Sequence, residues 1–156
     1  MEKFLEGLTN AEKSIKTADH MVYVTFPLIK DKRLLLKILN EIKNSIIYCI
    51  GSILQYEYLY KKITLYKDPR SNFRTFTEKC AFKYEVSKED ILLIEELFDF
   101  IEKHNESPFE FVKGDKVVIL SNSLKPKTLT LEKVKEFLIL AKNLIRKANQ
   151  KFKRNF

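Results

Sequence analysis

Residues 35–63 read LLKILNEIKNSIIYCIGSILQYEYLYKKI, and the reading of that segment decides the fold. Steps of four and three residues select Leu35, Leu39, Ile42, Ile46, Cys49, Ile53, Tyr56, Tyr60 and Ile63, an unbroken apolar stripe along one side of an α-helix. At about 1.5 Å per residue such a helix is a rod of roughly 45 Å. Leu34, Leu36, Ile38, Ile47, Ile50 and Leu54 flank the stripe and widen it beyond a two-stranded seam, so several neighbours must cover it. The segment is therefore predicted to be the central helix of a bundle, with Ile46 and Ile53 deeply buried.

Working towards the N-terminus, Leu8, Ala11, Ile15, Ala18, Val22, Thr25 and Ile29 repeat the same spacing in a first helix. Thr9 and Glu12 have the arrangement of a capping box and place the start of that helix at Thr9. Residues 21–26 would pass for a strand alone, but the continuous helical period decides for helix, and Pro27 then kinks or ends it. The connection 30–32 is so short that the first two helices must pack as an antiparallel hairpin. Small residues on both sides, Ala11 and Ala18 against Ser45, Gly51 and Ser52, would permit close approach. Gly51 costs up to about 1 kcal/mol in a helix interior, so a packing reason or local bend is expected there.

Working towards the C-terminus, Asp68 followed by Pro69 opens a short third helix whose face carries Phe73, Phe76, Cys80 and Tyr84. Ser87 and Asp90 start a fourth with a capping box, followed by Ile91, Ile94, Phe98 and Ile101 and ending near His104. Between residues 107 and 121 the period changes to two: Phe109 and Phe111 alternate with polar residues, Gly114-Asp115 turns the chain, and 117–120 is rich in β-branched residues. This predicts a small β-hairpin, which must lie on the bundle because two strands alone are marginal. Residues 122–128, with Pro126, read as a loop. A last helix opens at Thr128 or Thr130 and carries Leu131, Val134, Leu138, Ala141, Ile145, Ala148 and Phe152. The fold class is all-α in the main, one domain spanning 1–156: an up-and-down bundle of four to five helices with a small β-hairpin inserted before the last helix.

Composition narrows the function classes. With 156 residues the chain can bury a sizeable core without disulfides or metals. Cys49 on the central stripe and Cys80 in another segment read as buried free thiols of a reducing compartment. The N-terminus has no secretory signal, and the uncharged run 44–56 is too short to span a membrane, which points to a cytoplasmic protein without a membrane partner. The net charge of +8 is uneven: Lys and Arg against Asp and Glu count 4 to 5 over 1–31, 11 to 4 over 32–84, 3 to 10 over 85–115 and 11 to 2 over 116–156. An acidic block between two basic ones is expected to lie against them in the fold.

No catalytic constellation is legible. His20 lies off the first stripe, and His104 sits where helices commonly end on a cation. Glu95, Asp99 and Glu102 share a helix face, but no Glu-x-x-His pair accompanies them, so they read as a solvated acidic face. Paired zinc-ligand cysteines, Gly-rich phosphate loops and a nucleophile elbow are absent from the sequence, and no metal or cofactor is expected. The candidate sites are basic. Lys61, Lys62, Lys67, Arg70 and Arg74 accompany Tyr58, Tyr60, Tyr66 and Phe73, the mixture of cations and stackable rings that single-stranded nucleic acid uses. Arg146, Lys147, Lys151, Lys153 and Arg154 form a second cluster in the C-terminal tail.

An amphipathic first helix containing Ala11-Glu12-Lys13-Ser14-Ile15, a long second helix, a variable middle and a last helix opening Leu129-Thr130-Leu131-Glu132 together resemble the HEPN group of prokaryotic helical bundles. Nuclease members of that group carry an arginine followed four to six residues later by histidine. None of Arg33, Arg70, Arg74, Arg146 and Arg154 is so placed. The resemblance thus implies a non-catalytic member that dimerises through helix faces and binds RNA, nucleotide or a partner protein. The expected function is a binding or adaptor protein for RNA or another polyanion. The alternatives are an interaction subunit whose partner is a second copy or an acidic protein, and an enzyme with a scattered site.

Overall fold

The computed structural model describes residues 2–107, 109–120 and 125–154, with the side chain of Arg154 outside the described part. In chain order the elements are α1 (Lys3–His20), a π turn (Met21–Thr25), α2 (Phe26–Ile29), α3 (Leu34–Leu59), α4 (Pro69–Thr75), a second π turn (Phe76–Cys80), α5 (Lys88–Glu106), β1 (Phe109–Lys113), β2 (Lys116–Leu120), β3 (Pro126–Leu129) and α6 (Leu131–Arg154). The molecule is a mainly helical bundle with a small antiparallel sheet placed before the last helix.

The predicted central helix is α3, and its stripe is the core: Leu35, Leu39, Ile42, Ile46, Cys49 and Ile53 are completely buried. It is buried on more than one side, since Leu36, Ile38, Ile50 and Leu54 are covered as well. The helix is shorter than the sequence period implied. It stops at Leu59 because Lys61 turns left-handed at φ 58°, and the Lys61 and Lys62 amides donate back to Tyr58 and Glu57, closing the helix end. Tyr60 accordingly leaves the core, 47% exposed, while Ile63 packs against the core only partly buried, from outside the helix.

α1 and α3 form the expected antiparallel hairpin, but α1 begins six residues before Thr9, at Lys3. Thr9 donates its hydroxyl to the Leu5 carbonyl from within the helix instead of capping it. Phe4 and Leu8, both buried, explain the earlier start: they carry the apolar face one turn further back. Residues 21–26 are helical as predicted, though wound as a π turn in which the Phe26 amide donates to the Met21 carbonyl. The extra residue in that turn precedes Pro27 and advances the buried face, so Phe26 is covered while Ile29 is 59% exposed. This corrects the expectation that Thr25 and Ile29 continue the stripe.

The seam itself uses small residues. Ala11, Ala18 and Ser45 are fully buried, and Ser52 donates its hydroxyl to the Phe4 carbonyl across the two helices. A Cβ on Gly7 would stand 3.2 Å from the Ser52 Cβ and 3.3 Å from the Tyr48 carbonyl oxygen, so this glycine sets the closeness of the crossing. Gly51 has no such duty: a Cβ there would meet nothing within 4 Å. Among the described residues there is no packing reason for Gly51.

The third and fourth helices start as predicted. Asp68 accepts the Arg70 amide at 3.2 Å, and Ser87 with Asp90 closes both bonds of a capping box. Phe76, Cys80 and Tyr84 are buried together, with Phe73 partly buried beside them. α6 opens at Thr130, whose hydroxyl accepts the Lys133 amide at 3.2 Å. Val134, Leu138, Ala141, Ile145, Ala148 and Phe152 fill its buried face.

The hairpin is present, and the sheet has a third strand in the order β1-β2-β3. Pro126, expected in a loop, is the first residue of edge strand β3, where proline costs no ladder bond. Val117, Ile119 and Leu129 point into the bundle and are at most 1% exposed. Residues 121–124, which include part of the predicted loop, lie outside the described residues.

Candidate nucleic-acid interface

Both predicted basic clusters come from helix ends, and the fold brings part of each to one place. Tyr56 and Glu57 stand in the last turns of α3, Lys62 follows its left-handed cap, Lys83 follows the second π turn, and Lys151 lies near the end of α6. Together with Tyr60 these residues line a cleft of about 470 Å³. Its back wall is aromatic: Tyr56 stacks on Phe152 with centroids 4.6 Å apart, Phe4 meets both rings edge-on, and Tyr60 lies 4.8 Å from Tyr56.

At the floor Glu57 is 2% exposed. Tyr84 donates its hydroxyl to Glu57 Oε1 at 2.9 Å, and Lys83 Nζ donates to Oε2 at 2.8 Å. Burial first, then the Glu57 charge, pushes the Tyr84 phenol far up, so it remains a donor. The same two causes raise the neighbouring Cys80 thiol to about 11. Burial also pushes up the Cys49 thiol, and both cysteines are free. The Glu57–Tyr84–Lys83 group thus locks the end of α3 to the chain after α4, with the phenol and both thiols held protonated at neutral pH.

The sequence did not single out Glu57 or Lys83. A signal was there: Glu57 falls one turn after Ile53 on the inward side of α3, where a carboxylate needs dedicated partners.

Lys62 and Lys151 are different. Neither is paired with a carboxylate among the described residues, and both reach the mouth of the cleft. Around them Tyr58 and Tyr66 are 52% and 53% exposed, and Lys61, Lys67, Arg70 and Arg74 are exposed too. The loop carrying Tyr66 is pinned by Asn72, which accepts the Tyr66 amide at 2.8 Å and donates to its carbonyl at 2.7 Å. Phe73, expected among the stackable rings, instead packs edge-on against Phe98.

The C-terminal cluster is split by the helical period. Lys147 shares the Lys151 side, but it donates to the Glu85 carbonyl at 2.7 Å and lies 3.8 Å from Asp90. Arg146 and Lys153 turn away, towards a groove between α1 and α6 where Lys16 and Lys142 join them. Arg154 ends the helix, and its side chain lies outside the described residues.

The expected contact between acidic and basic blocks is present. Lys127 meets Asp99 at 2.9 Å, Lys133 meets Glu96 at 3.3 Å, and Lys147 approaches Asp90. The C-terminal block is therefore partly neutralised by the acidic one, whereas of the cations Lys61, Lys62, Lys67, Arg70 and Arg74 none forms an ion pair with the acidic block among the described residues, and Arg70 has only Asp68 of its own loop nearby. Of the predicted acidic face, Glu95 and Glu102 are exposed. His104 is paired through Nδ1 with Glu110, tying the end of α5 to β1, and His20 is exposed. Among the described residues no group of three or more His, Cys, Asp or Glu side chains is placed to hold a metal ion, and no helix is long and apolar enough to cross a membrane.

Compared with protein-family models, curated proteins and solved structures, the chain matches none of them.

Proposed function

We propose that this protein is a non-catalytic, HEPN-like helical-bundle binding protein of the cytoplasm whose ligand is single-stranded RNA. One observation carries the reading: Lys62 and Lys151, from two separate basic blocks, share the mouth of one cleft walled by Tyr60. Unpaired ammonium groups beside exposed tyrosines suit a phosphate backbone whose bases are free to stack. The buried polar group at the floor is fully engaged in internal bonds, which favours binding over chemistry at this place.

The test is anisotropy of a labelled single-stranded RNA at 50 and 200 mM salt. Binding should weaken steeply as salt rises. In the double variant Lys62→Ala, Lys151→Ala the slope of log affinity against log salt should fall by about 1.4, roughly 0.7 for each lost phosphate contact. A protein without salt-dependent affinity for RNA would remove this ligand.

A second reading, an interaction subunit that pairs with a copy of itself or an acidic protein, is favoured by the apolar cleft of about 350 Å³ over Ile47, Gly51, Leu54 and Phe73. A mass in solution equal to one chain at low and high salt counts against the self-paired form.

A further inference from the structure

The sheet at the opposite end of α6 has two unlike faces. Register fixes them: Phe109 pairs with Leu120, Phe111 with Val118, Lys113 with Lys116, and Val118 with Thr128, so these residues share one face while Val117, Ile119 and Leu129 take the other. On the second face Val117, Ile119 and Leu129 are buried on the bundle, while Val112 of β1 is 43% exposed. The first looks outward and forms a shallow cleft of about 600 Å³.

This outward face is apolar where a small sheet would ordinarily be polar. Phe109 is 64% exposed and Phe111 46% exposed, while Leu120 and Val118, directly across from them, are half-buried and buried. Rings of this size left in water mark a surface awaiting a partner. The charges that the register places on this face are Lys113 and Lys116, opposite one another beside the Gly114 turn. An anionic partner with flat apolar faces complements that combination.

The spacing of the rings narrows the partner further. Two residues apart on one strand, Phe109 and Phe111 stand about 6.6 Å from each other along it. Stacked bases are separated by about 3.4 Å, so successive bases can lie on both rings only if the strand is unstacked, as in single-stranded nucleic acid and not in a duplex.

We propose that the outer face of the sheet is a base-stacking platform for single-stranded RNA, with Phe109 and Phe111 receiving successive bases and Lys113 and Lys116 the adjoining phosphates. The proposal rests on RNA being the ligand, but it concerns a surface separate from the Lys62–Lys151 cleft.

The chain contains no tryptophan, so Phe111→Trp installs a sole tryptophan on this face, excited selectively over the seven tyrosines at the red edge of absorption. Titration with an unlabelled single-stranded RNA should quench its emission to saturation, and the same sequence as a duplex should not. Phe109→Ala and Phe111→Ala should each weaken single-strand binding roughly tenfold while leaving the salt slope unchanged, because stacking releases no counterions. Phe111→Tyr, which keeps a ring, should bind like the parent, and thermal midpoints should confirm that these exposed substitutions leave the fold intact. If RNA binds with its normal salt dependence while the tryptophan emission and the alanine variants are indifferent, the platform is overturned and the basic cleft stands. If the phenylalanine substitutions change the mass in solution and not the RNA affinity, the face belongs to a second copy and the platform is again overturned. Absence of any RNA binding by the parent removes both.

Discussion

The two sides of α3 differ in what they face, and two glycines report the difference. On the side towards α1, Gly7 is opposed by the Ser52 Cβ and the Tyr48 carbonyl, and every small residue of the seam is used. On the side towards α4 and α5, Gly51 looks into an open apolar cleft with nothing in reach of a Cβ. The same residue type therefore sets a helix crossing in one place and leaves a gap in the other. What a glycine does in a helix is decided by the element across from it.

The largest expected effect breaks the filled side. Ile46 and Ile53 are completely buried on α3, and truncating either to alanine removes apolar contacts and leaves a cavity that close-packed neighbours only partly fill. Each variant should lose about 3 kcal/mol of stability by urea or thermal unfolding. A loss below about 1 kcal/mol would mean that α3 is not the centre of the core.

Next comes the crossing point. Gly7→Leu forces a side chain into a space where a single Cβ already lies 3.2 Å from Ser52 and 3.3 Å from a backbone oxygen. A carbonyl cannot move without its helix, so α1 and α3 must separate. The expected cost is about 2 kcal/mol, in the range of overpacked cores. Unchanged stability would show that the seam has slack.

These two experiments also separate what the sequence discloses from what it conceals. Burial along a helix follows a one-dimensional period, so Ile46, Ile53, Phe76, Ile94 and Leu138 could be placed inside from spacing alone. The roles of Gly7 and Gly51 depend on neighbours distant in sequence, and spacing pointed to the wrong one. β3 was hidden for a related reason: residues 126–129 gain strand character from pairing with Val117 to Leu120, and Pro126 by itself argues for a loop. In the candidate interface, Lys62 and Lys151 were identifiable as basic tail and loop residues. Their shared cleft was not, because it requires the end of α3 to lie beside the last turns of α6. Nor could composition divide the C-terminal cluster into Lys151, which faces the cleft, and Arg146 and Lys153, which do not.

The smallest effect has the opposite sign and sharpens the comparison most. Alanine is favoured over glycine in a helix interior by about 0.8–1.0 kcal/mol, because glycine loses more backbone freedom on folding and exposes more of the backbone to water. At Gly7 that gain is opposed by the contacts across the seam. At Gly51 nothing among the described residues opposes it, since the added methyl meets no atom within 4 Å and stands open at the edge of the cleft that Ile47 and Leu54 also line. Gly51→Ala should therefore stabilise the protein by about 1 kcal/mol and raise its thermal midpoint by about 3 °C. The measurement is run on dilute protein whose mass corresponds to one chain, so that no partner can cover the cleft. A destabilising result under those conditions would mean that the chain itself packs closely over Gly51, and would make the two sides of α3 alike. A stabilising one leaves Gly51 as a position that the fold alone does not account for, in contrast to Gly7, which the fold requires.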